Sequence, residues 1–248
     1  MKLSVLIPAK NQSEKLLRHL RDSIIPYFDL AQIDYEIVIC TDGGRLDEHE
    51  VLEKEIPSLP ANVRLLPLED IKGKGHAVKK AILASDAEYV LFMDADLATS
   101  LDVFDAIKPE LGSVDCFIAS RDVKGSQYGQ KQPFMRRLTH WGCRKVVSWT
   151  FHMKGIKDTQ CGYKCIRTED AKKAAALSII DGFAFDVELL YILYLNGRSI
   201  RELPCLWTDD PDSSVGSPIK TAKKFYADVR RIKKNKKNYY FAEVNHAD

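Results

Sequence analysis

The sequence predicts an α/β fold, a largely parallel sheet built from successive strand-loop-helix units. Three observations predict it. Short apolar runs of strand length recur along the chain, and each ends in a polar loop. In the first hundred residues these loops run on into apolar positions at helical spacing. Tyr89 to Met93 is the clearest run, uniformly apolar as suits the buried centre of a parallel sheet, and it stops abruptly at Asp94 and Asp96.

Leu3 to Ile7 reads as the first strand, ended by Pro8, with Ala9-Lys10-Asn11-Gln12-Ser13-Glu14 as a polar loop. Leu16, Leu17, Leu20, Ile24 and Ile25 then mark a helix. Tyr35 to Cys40 is a second strand ending in Thr41-Asp42-Gly43-Gly44, where Asp42 either meets a base or sugar or sits in a plain turn. Val63 to Leu66 is a third. It leads to Lys72-Gly73-Lys74-Gly75 and a helix from Val78 to Ala84, either a diphosphate cradle at a helix N-terminus or a lysine-rich surface turn. The Walker spacing is absent. Asp94 and Asp96 close the fourth strand, at the sheet edge where α/β folds collect ligands. Two hard oxygen ligands there suit Mg²⁺ or Mn²⁺ beside a phosphate-bearing substrate, whereas simple capping by Asp96 of a helix near Thr99 is the structural alternative.

In the second half, Cys116 to Ala119 is a strand delivering Ser120-Arg121, and the polar stretch with Gly125 and Gly129 reads as a mobile loop. Phe134 to Met153 mixes arginines with Trp141, Trp149 and Phe151, which fits either a helix at a membrane interface or one packed on the sheet. Asp158 to Cys165 is a polar turn entering a strand, and Gly182 to Leu195 is an apolar helix with Asp186 and Glu188 in its first turn. Those two acids are either dipole-complementing charges or one of them faces a reaction centre. Ile200 to Leu206 is a late strand, and Phe225, Val229 and Ile232 recur at helical spacing among basic residues.

Composition narrows the function classes. The 45% hydrophobic and 29% charged content is that of a soluble globular chain, and no segment reaches the roughly 20 apolar residues of a membrane span. The amino terminus reads as a strand rather than a signal peptide. Six scattered cysteines give no convincing zinc spacing and are expected as reduced thiols. The net charge of +2 is unevenly spread: Lys220 to Lys237 holds nine basic residues and one acid, leaving 28 basic against 34 acidic residues elsewhere, a net of −6. Such a segment points to an anionic surface, membrane or nucleic acid.

Taken in order, Pro8-Ala9-x-Asn11, Thr41-Asp42-Gly43, Lys72-Gly73-Lys74-Gly75-x-Ala77, Asp94-x-Asp96, Ser120-Arg121, Asp158-Thr159-Gln160-Cys161-Gly162 and Phe185-Asp186-Val187-Glu188 resemble the family-two glycosyltransferases. The last two stretches look most like the branch that glucosylates dolichyl or other polyprenyl phosphates. The resemblance covers the chain to about Trp207. It implies a glycosyltransferase A type fold, a Rossmann-like central mixed sheet with helices on both faces. It also implies one catalytic domain over residues 1–218, with a nucleotide-binding half to residue 100 and an acceptor half over 101–218. A basic amphipathic helix and tail would occupy 219–248.

By position, the resemblance implies that Pro8, Ala9, Asn11 and Asp42 hold the nucleoside and that Lys74 lies near the nucleotide or its phosphates. Asp94 would face the ribose or sugar, Asp96 would bind the metal, and Arg121 and Arg136 would meet the donor and acceptor phosphates. The implied reaction is inverting transfer of a sugar, glucose from UDP-glucose, onto a polyprenyl phosphate. The alternative is a hydroxyl acceptor with Asp186 as base. This chain departs from the pattern at Gln12, at Gly44 and at Ser213-Ser214-Val215, where the family carries Glu, Ser and a Ser-Lys. The branch's usual transmembrane anchor is missing at both ends, so the Phe134 stretch and the basic helix are expected to dock on an anionic membrane. The expected location is cytoplasmic, peripheral on the inner face of the membrane. A nucleotidyltransferase would need a glycine-rich loop after the first strand, where Pro8-Ala9-Lys10-Asn11 stands, and no nucleic-acid partner is expected.

Overall fold

A computed structural model of the chain describes residues 2–41, 46–67, 72–129, 134–208 and 218–242. Of the expected site residues, Asp42 lies outside these, as do Gly43, Gly44 and Ser213 to Val215. The Arg136 side chain does too, although its backbone is helical.

Seven strands form one sheet in the order β3-β2-β1-β4-β7-β5-β8. They are β1 (Lys2–Ala9), β2 (Asp34–Thr41), β3 (Val63–Leu65), β4 (Tyr89–Met93), β5 (Cys116–Ser120), β7 (Tyr163–Arg167) and β8 (Ile200–Pro204). β7 alone runs against its neighbours: β4 and β5 both pair with it antiparallel, and all other pairings are parallel. The sheet is therefore mixed, as expected. The carboxyl ends of β1, β2, β4 and β5 share one edge with the amino end of β7.

Two apolar layers bury the sheet. Leu3, Val5, Ile7, Ile37 and Leu91 pack with Leu16, Leu20, Phe28 and Phe104 on one face. Leu6, Val38, Val90 and Ile118 pack with Val78, Val147, Leu190 and Val229 on the other. Alternation along β1 and β2 supplies both layers, which is why these strands read as continuous apolar runs.

The first crossover is one long helical stretch, α1 (Ser13–His19) and α2 (Ile25–Leu30) joined by a π turn at Leu20–Ile24. Pro26 has no N–H for the bond four residues back, and the widened turn just before it accommodates that loss. The next helices are α3 (Leu46–Glu55), α4 (Lys74–Leu83) and α5 (Val103–Ile107). After them come α6 (Phe134–Phe151), α7 (Thr168–Leu177), α8 (Phe185–Leu195) and α9 (Pro218–Asn235).

Several expectations need correction. Pro8 does not end β1, which keeps its β2 register as far as Ala9 opposite Thr41. The β4 pairing has already finished at Leu6 opposite Phe92, so a residue without an N–H is tolerated there. No helix starts near Thr99, and α5 begins only at Val103. The late strand is two pieces, β8 and β9 (Leu206–Trp207), broken at buried Cys205. The stretch around Gly125 is not a free loop. Its β6 (Gln127–Tyr128) pairs with β9, and the Ser126 hydroxyl donates to the Ser120 carbonyl at 2.6 Å. All six cysteines are free and buried.

The basic helix α9 buries the apolar edge read from the sequence, Phe225, Val229 and Ile232, and packs beside α6. Past its end Tyr239 is fully buried and donates its hydroxyl to Glu188. Glu188 accepts in addition from the Ser178 hydroxyl and from the backbone N–H groups of Ile179 at 3.0 Å and Ile180 at 2.9 Å. With four donors on one buried carboxylate, Glu188 is a structural anchor rather than a group facing the reaction centre. Burial, with that carboxylate next in weight, raises the pKa of the Tyr239 phenol.

Candidate active site

The site is built where β4 stops. Leu97 doubles back with its N–H on the Asp94 carbonyl at 3.3 Å and a left-handed φ of 53°. The Asp96 carboxylate takes the Ala98 N–H at 3.0 Å, so Asp96 closes this tight turn instead of capping a helix. The His19 ring donates from Nδ1 to the Ala95 carbonyl at 3.0 Å and fixes the turn from the α1 side. Sequence reading did not single out that histidine. Both aspartates are half-buried and open onto the shared strand edge.

Antiparallel β7 brings Gly162 against this turn. Its carbonyl accepts the Asp94 N–H at 3.1 Å, and a Cβ on Gly162 would lie 1.9 Å from Asp94 Oδ2. The glycine is needed because the carboxylate occupies the space of a side chain. Gly162→Ala should therefore displace Asp94 and lower kcat/KM for sugar transfer by ~10²-fold, the cost of misplacing a contact by about an ångström. Steady-state kinetics checks this, and a rate within a few-fold of wild type would show that the Asp94 position does not matter.

Lys74, in the first turn of α4, forms an ion pair with Asp94 Oδ1. Burial weakens its hold on the proton, but Asp94, then Asp186, and also Asp96 outweigh that and keep the ammonium charged. The helix is pressed close: a Cβ on Gly73, which has φ of 131°, would sit 2.5 Å from the Asp181 carbonyl oxygen. One on Gly75 would sit 2.6 Å from the Phe185 Cβ. These glycines are thus required for packing α4 onto the start of α8.

Asp186 is 4% exposed, behind Lys74. Its partner is Lys164 of β7, a fully buried lysine that donates to Asp186 Oδ1 at 2.5 Å and to the Cys161 carbonyl at 2.6 Å. Burial raises the Asp186 pKa, while Lys164 and then Lys74 oppose it. The Phe92 ring centre is 4.9 Å from the Lys164 ammonium and 5.9 Å from that of Lys74. Lys164 carries no local signal of this role. In a strand reading Tyr-Lys-Cys-Ile-Arg it looks solvent-facing, and only its register opposite Phe92 and Ile118 shows a lysine in need of a buried carboxylate.

Arg121, just past β5, is clamped rather than free. Its Nε and Nη2 donate to the two oxygens of Asp158 at 2.6 and 2.8 Å, its backbone N–H adds a third bond at 3.1 Å, and its guanidinium lies 5.4 Å from the Trp207 ring. Asp158 is fully buried, and its own N–H rests on Glu202 at 2.8 Å. Trp207 in turn pairs with Thr99, so Arg121, β9 and the aspartate turn form one packed unit. Pro8 and Ala9 end β1 at the same edge, and Asn11 is exposed with φ of 52°. The structure thus gathers Asp94, Asp96, Lys74 and Asp186 and holds Arg121 on the other side of the aspartate turn.

Among the described residues no cluster of three or more His, Cys, Asp or Glu forms a ready-made metal cage. Asp94 and Asp96 still fit a hard divalent cation that takes its remaining ligands from diphosphate and water, and Asp94 already holds a cation in the Lys74 ammonium.

The family model described as Glycosyl transferase family 2 matches residues 4–172, which include most of β1, the lysine-glycine turn, both aspartates, Arg121 and Gly162. The chain belongs to glycosyl transferase family 2. Within this family it is 34% identical over 242 residues to a dolichyl-phosphate β-glucosyltransferase of Dictyostelium discoideum, an alignment spanning 93% of this chain and 73% of the relative. The human dolichyl-phosphate β-glucosyltransferase is 29% identical, over 86% of this chain and 69% of that one. The fold matches the glucosyl-3-phosphoglycerate synthase of Mycobacterium tuberculosis, with a TM-score of 0.67 at 17% identity over 93% of this chain and 80% of that one. A further structure of that synthase, in complex with Mn²⁺ and UDP-glucose, gives 0.66. The family-two membership and the glycosyltransferase A type fold expected from the motifs are both shown.

Proposed function

We propose that this glycosyltransferase moves glucose from UDP-glucose onto a polyprenyl phosphate with inversion, and that it does so with Mg²⁺ or Mn²⁺. The observation that carries the acceptor is the state of Asp186. A hydroxyl acceptor needs a carboxylate to take its proton, and Asp186 is instead buried on Lys164. A phosphate monoester needs no such base, since its second pKa of about 6 leaves it largely ionised at neutral pH. The dolichyl-phosphate relatives support the same acceptor.

In this reading a phosphate oxygen forms the new bond to the anomeric carbon as the bond from that carbon to the diphosphate breaks on the opposite face. The nucleoside diphosphate leaves with the electron pair, and no proton moves. Pro8, Ala9, Asn11 and Asp42 hold the nucleoside. Lys74 and the N-terminus of α4 receive the diphosphate. Asp94 lies on the ribose or sugar side, Asp96 holds the cation, and Arg121 and Arg136 meet the donor and acceptor phosphates. The cation, when bound, supplies charge neutralisation at the leaving diphosphate.

No helix among the described residues is long and apolar enough to cross a membrane. On α6, Trp141 and Trp149 are 56% and 79% exposed, and Lys145 stands between them at helical spacing. On α9, Lys223, Lys224, Arg230, Lys233 and Lys234 are exposed. These aromatic and basic surfaces suit peripheral docking on an anionic membrane on the cytoplasmic side.

One assay set tests the proposal. Purified protein meets UDP-glucose, UDP-GlcNAc, UDP-galactose or GDP-mannose with and without divalent metal and a short polyprenyl phosphate, and co-sedimentation with anionic vesicles is followed in parallel. The expected result is nucleotide release that needs both metal and lipid phosphate and is fastest with UDP-glucose, together with binding to the vesicles. Release indifferent to the lipid would overturn the acceptor and return Asp186 to the role of base, and absence from the vesicle pellet would remove the docking surface.

A further inference from the structure

We infer that the Lys74 ammonium keeps the divalent cation's place beside Asp94 while no donor is bound, and yields it when a nucleoside diphosphate arrives. The divalent cation then joins the site only together with the diphosphate. This rests on the nucleotide-sugar reading above and adds an order of binding to it.

Three features carry it. First, the charges are uneven in mobility. Asp94, Asp96 and Asp186 all act on Lys74, but Asp186 is engaged by Lys164, a fully buried group with two hydrogen bonds. Lys74 is the one of the two ammonium groups with a path to solvent, its side chain being 20% exposed. Second, the backbone beneath it is fixed, because Gly73 and Gly75 press α4 against Asp181 and Phe185. A lysine on a fixed Cα still swings its ammonium on a flexible four-carbon stem, so the exchange needs no movement of the helix. Third, both destinations adjoin. The ammonium rests on Asp94, and the helix N-terminus that bears it is a natural seat for the incoming phosphates, which would draw the ammonium off the carboxylate. A bare divalent ion brings no such lure and meets a like charge beside its ligand Asp96, which also acts on Lys74.

The test is Mn²⁺ binding to the full chain without nucleotide, followed by the electron paramagnetic resonance signal of the free ion. Wild type should bind weakly, Lys74→Met at least tenfold more tightly, and Lys74→Arg, which keeps the charge, as weakly as wild type. Lys74→Gln takes the place of the methionine variant if that one does not fold. Adding Asp96→Asn to Lys74→Met should remove the gain. An affinity of the neutral variants equal to wild type overturns the inference, and so does a gain that survives Asp96→Asn, because the ion then sits elsewhere. Neither sugar nor lipid enters this titration, so its failure leaves the transferase reading intact, and a failed transfer assay leaves the titration result standing.

Discussion

Replacing Asp96 by asparagine is expected to slow sugar transfer by on the order of 10³-fold while the protein stays folded. The local fold survives because asparagine offers the same oxygen to the Ala98 N–H that Asp96 Oδ1 now accepts at 3.0 Å. The charge is lost, and with it, in the mechanism we propose, the ligand for a cation whose stabilisation of the leaving diphosphate would amount to several kcal/mol, each 1.36 kcal/mol being about tenfold in rate. Asp94 does not make up the loss, because Gly162 packs against its carboxylate and leaves it no room to move into the place of Asp96. Single-turnover rates with Mg²⁺ and with Mn²⁺, alongside circular dichroism, check this. Wild-type turnover with either metal would sink the assignment of Asp96 as metal ligand.

Asp158→Ala should produce the largest loss of stability, ~3–5 kcal/mol, the usual cost of stranding one partner of a buried ion pair. The Asp158 carboxylate takes three bonds from Arg121 and one from the Gln160 N–H at 3.2 Å, all in a place water does not reach. Without it the Arg121 guanidinium keeps its contact with Trp207 but has lost its fork-shaped partner. Urea unfolding of the variant measures the loss, and a change below about 1 kcal/mol would show that the pair is replaced by solvent. Transfer should fall with it, since in the proposed mechanism Arg121 would meet the phosphates only in the orientation Asp158 imposes.

What the sequence disclosed follows from how local each signal is. Tyr89 to Met93, the two aspartates after it and the apolar edge of α9 are short-range patterns, and the structure shows strand, turn and buried edge at those residues. The Pro8 boundary failed because a proline's tolerance depends on which neighbour strand has already ended. The loop near Gly125 failed because its partner, β9, lies almost eighty residues away. Within the site, Asp94 and Lys74 were legible as loop chemistry. The partners that hold the rest of the site were not. Lys164 for Asp186, Asp158 for Arg121 and His19 for the Ala95 carbonyl are contacts between elements 22, 37 and 76 residues apart, which no single stretch of chain encodes.

The reversed strand has a consequence for how the chain is made. On the ribosome β1 to β4 emerge first, yet the flank of β4 that β7 will cover stays unpaired until about 70 residues later, from Met93 to Tyr163. At 5–20 residues per second that is a wait of roughly 4 to 14 s. Throughout it, Tyr-Val-Leu-Phe-Met presents an uncharged apolar edge, the kind of segment that recruits strands from other chains. Arrival of β7 ends the exposure, and the same event places Gly162 and Lys164. Nascent chains halted before residue 163 should therefore depend on chaperones, and the catalytic pocket takes shape only as that sticky edge is sealed.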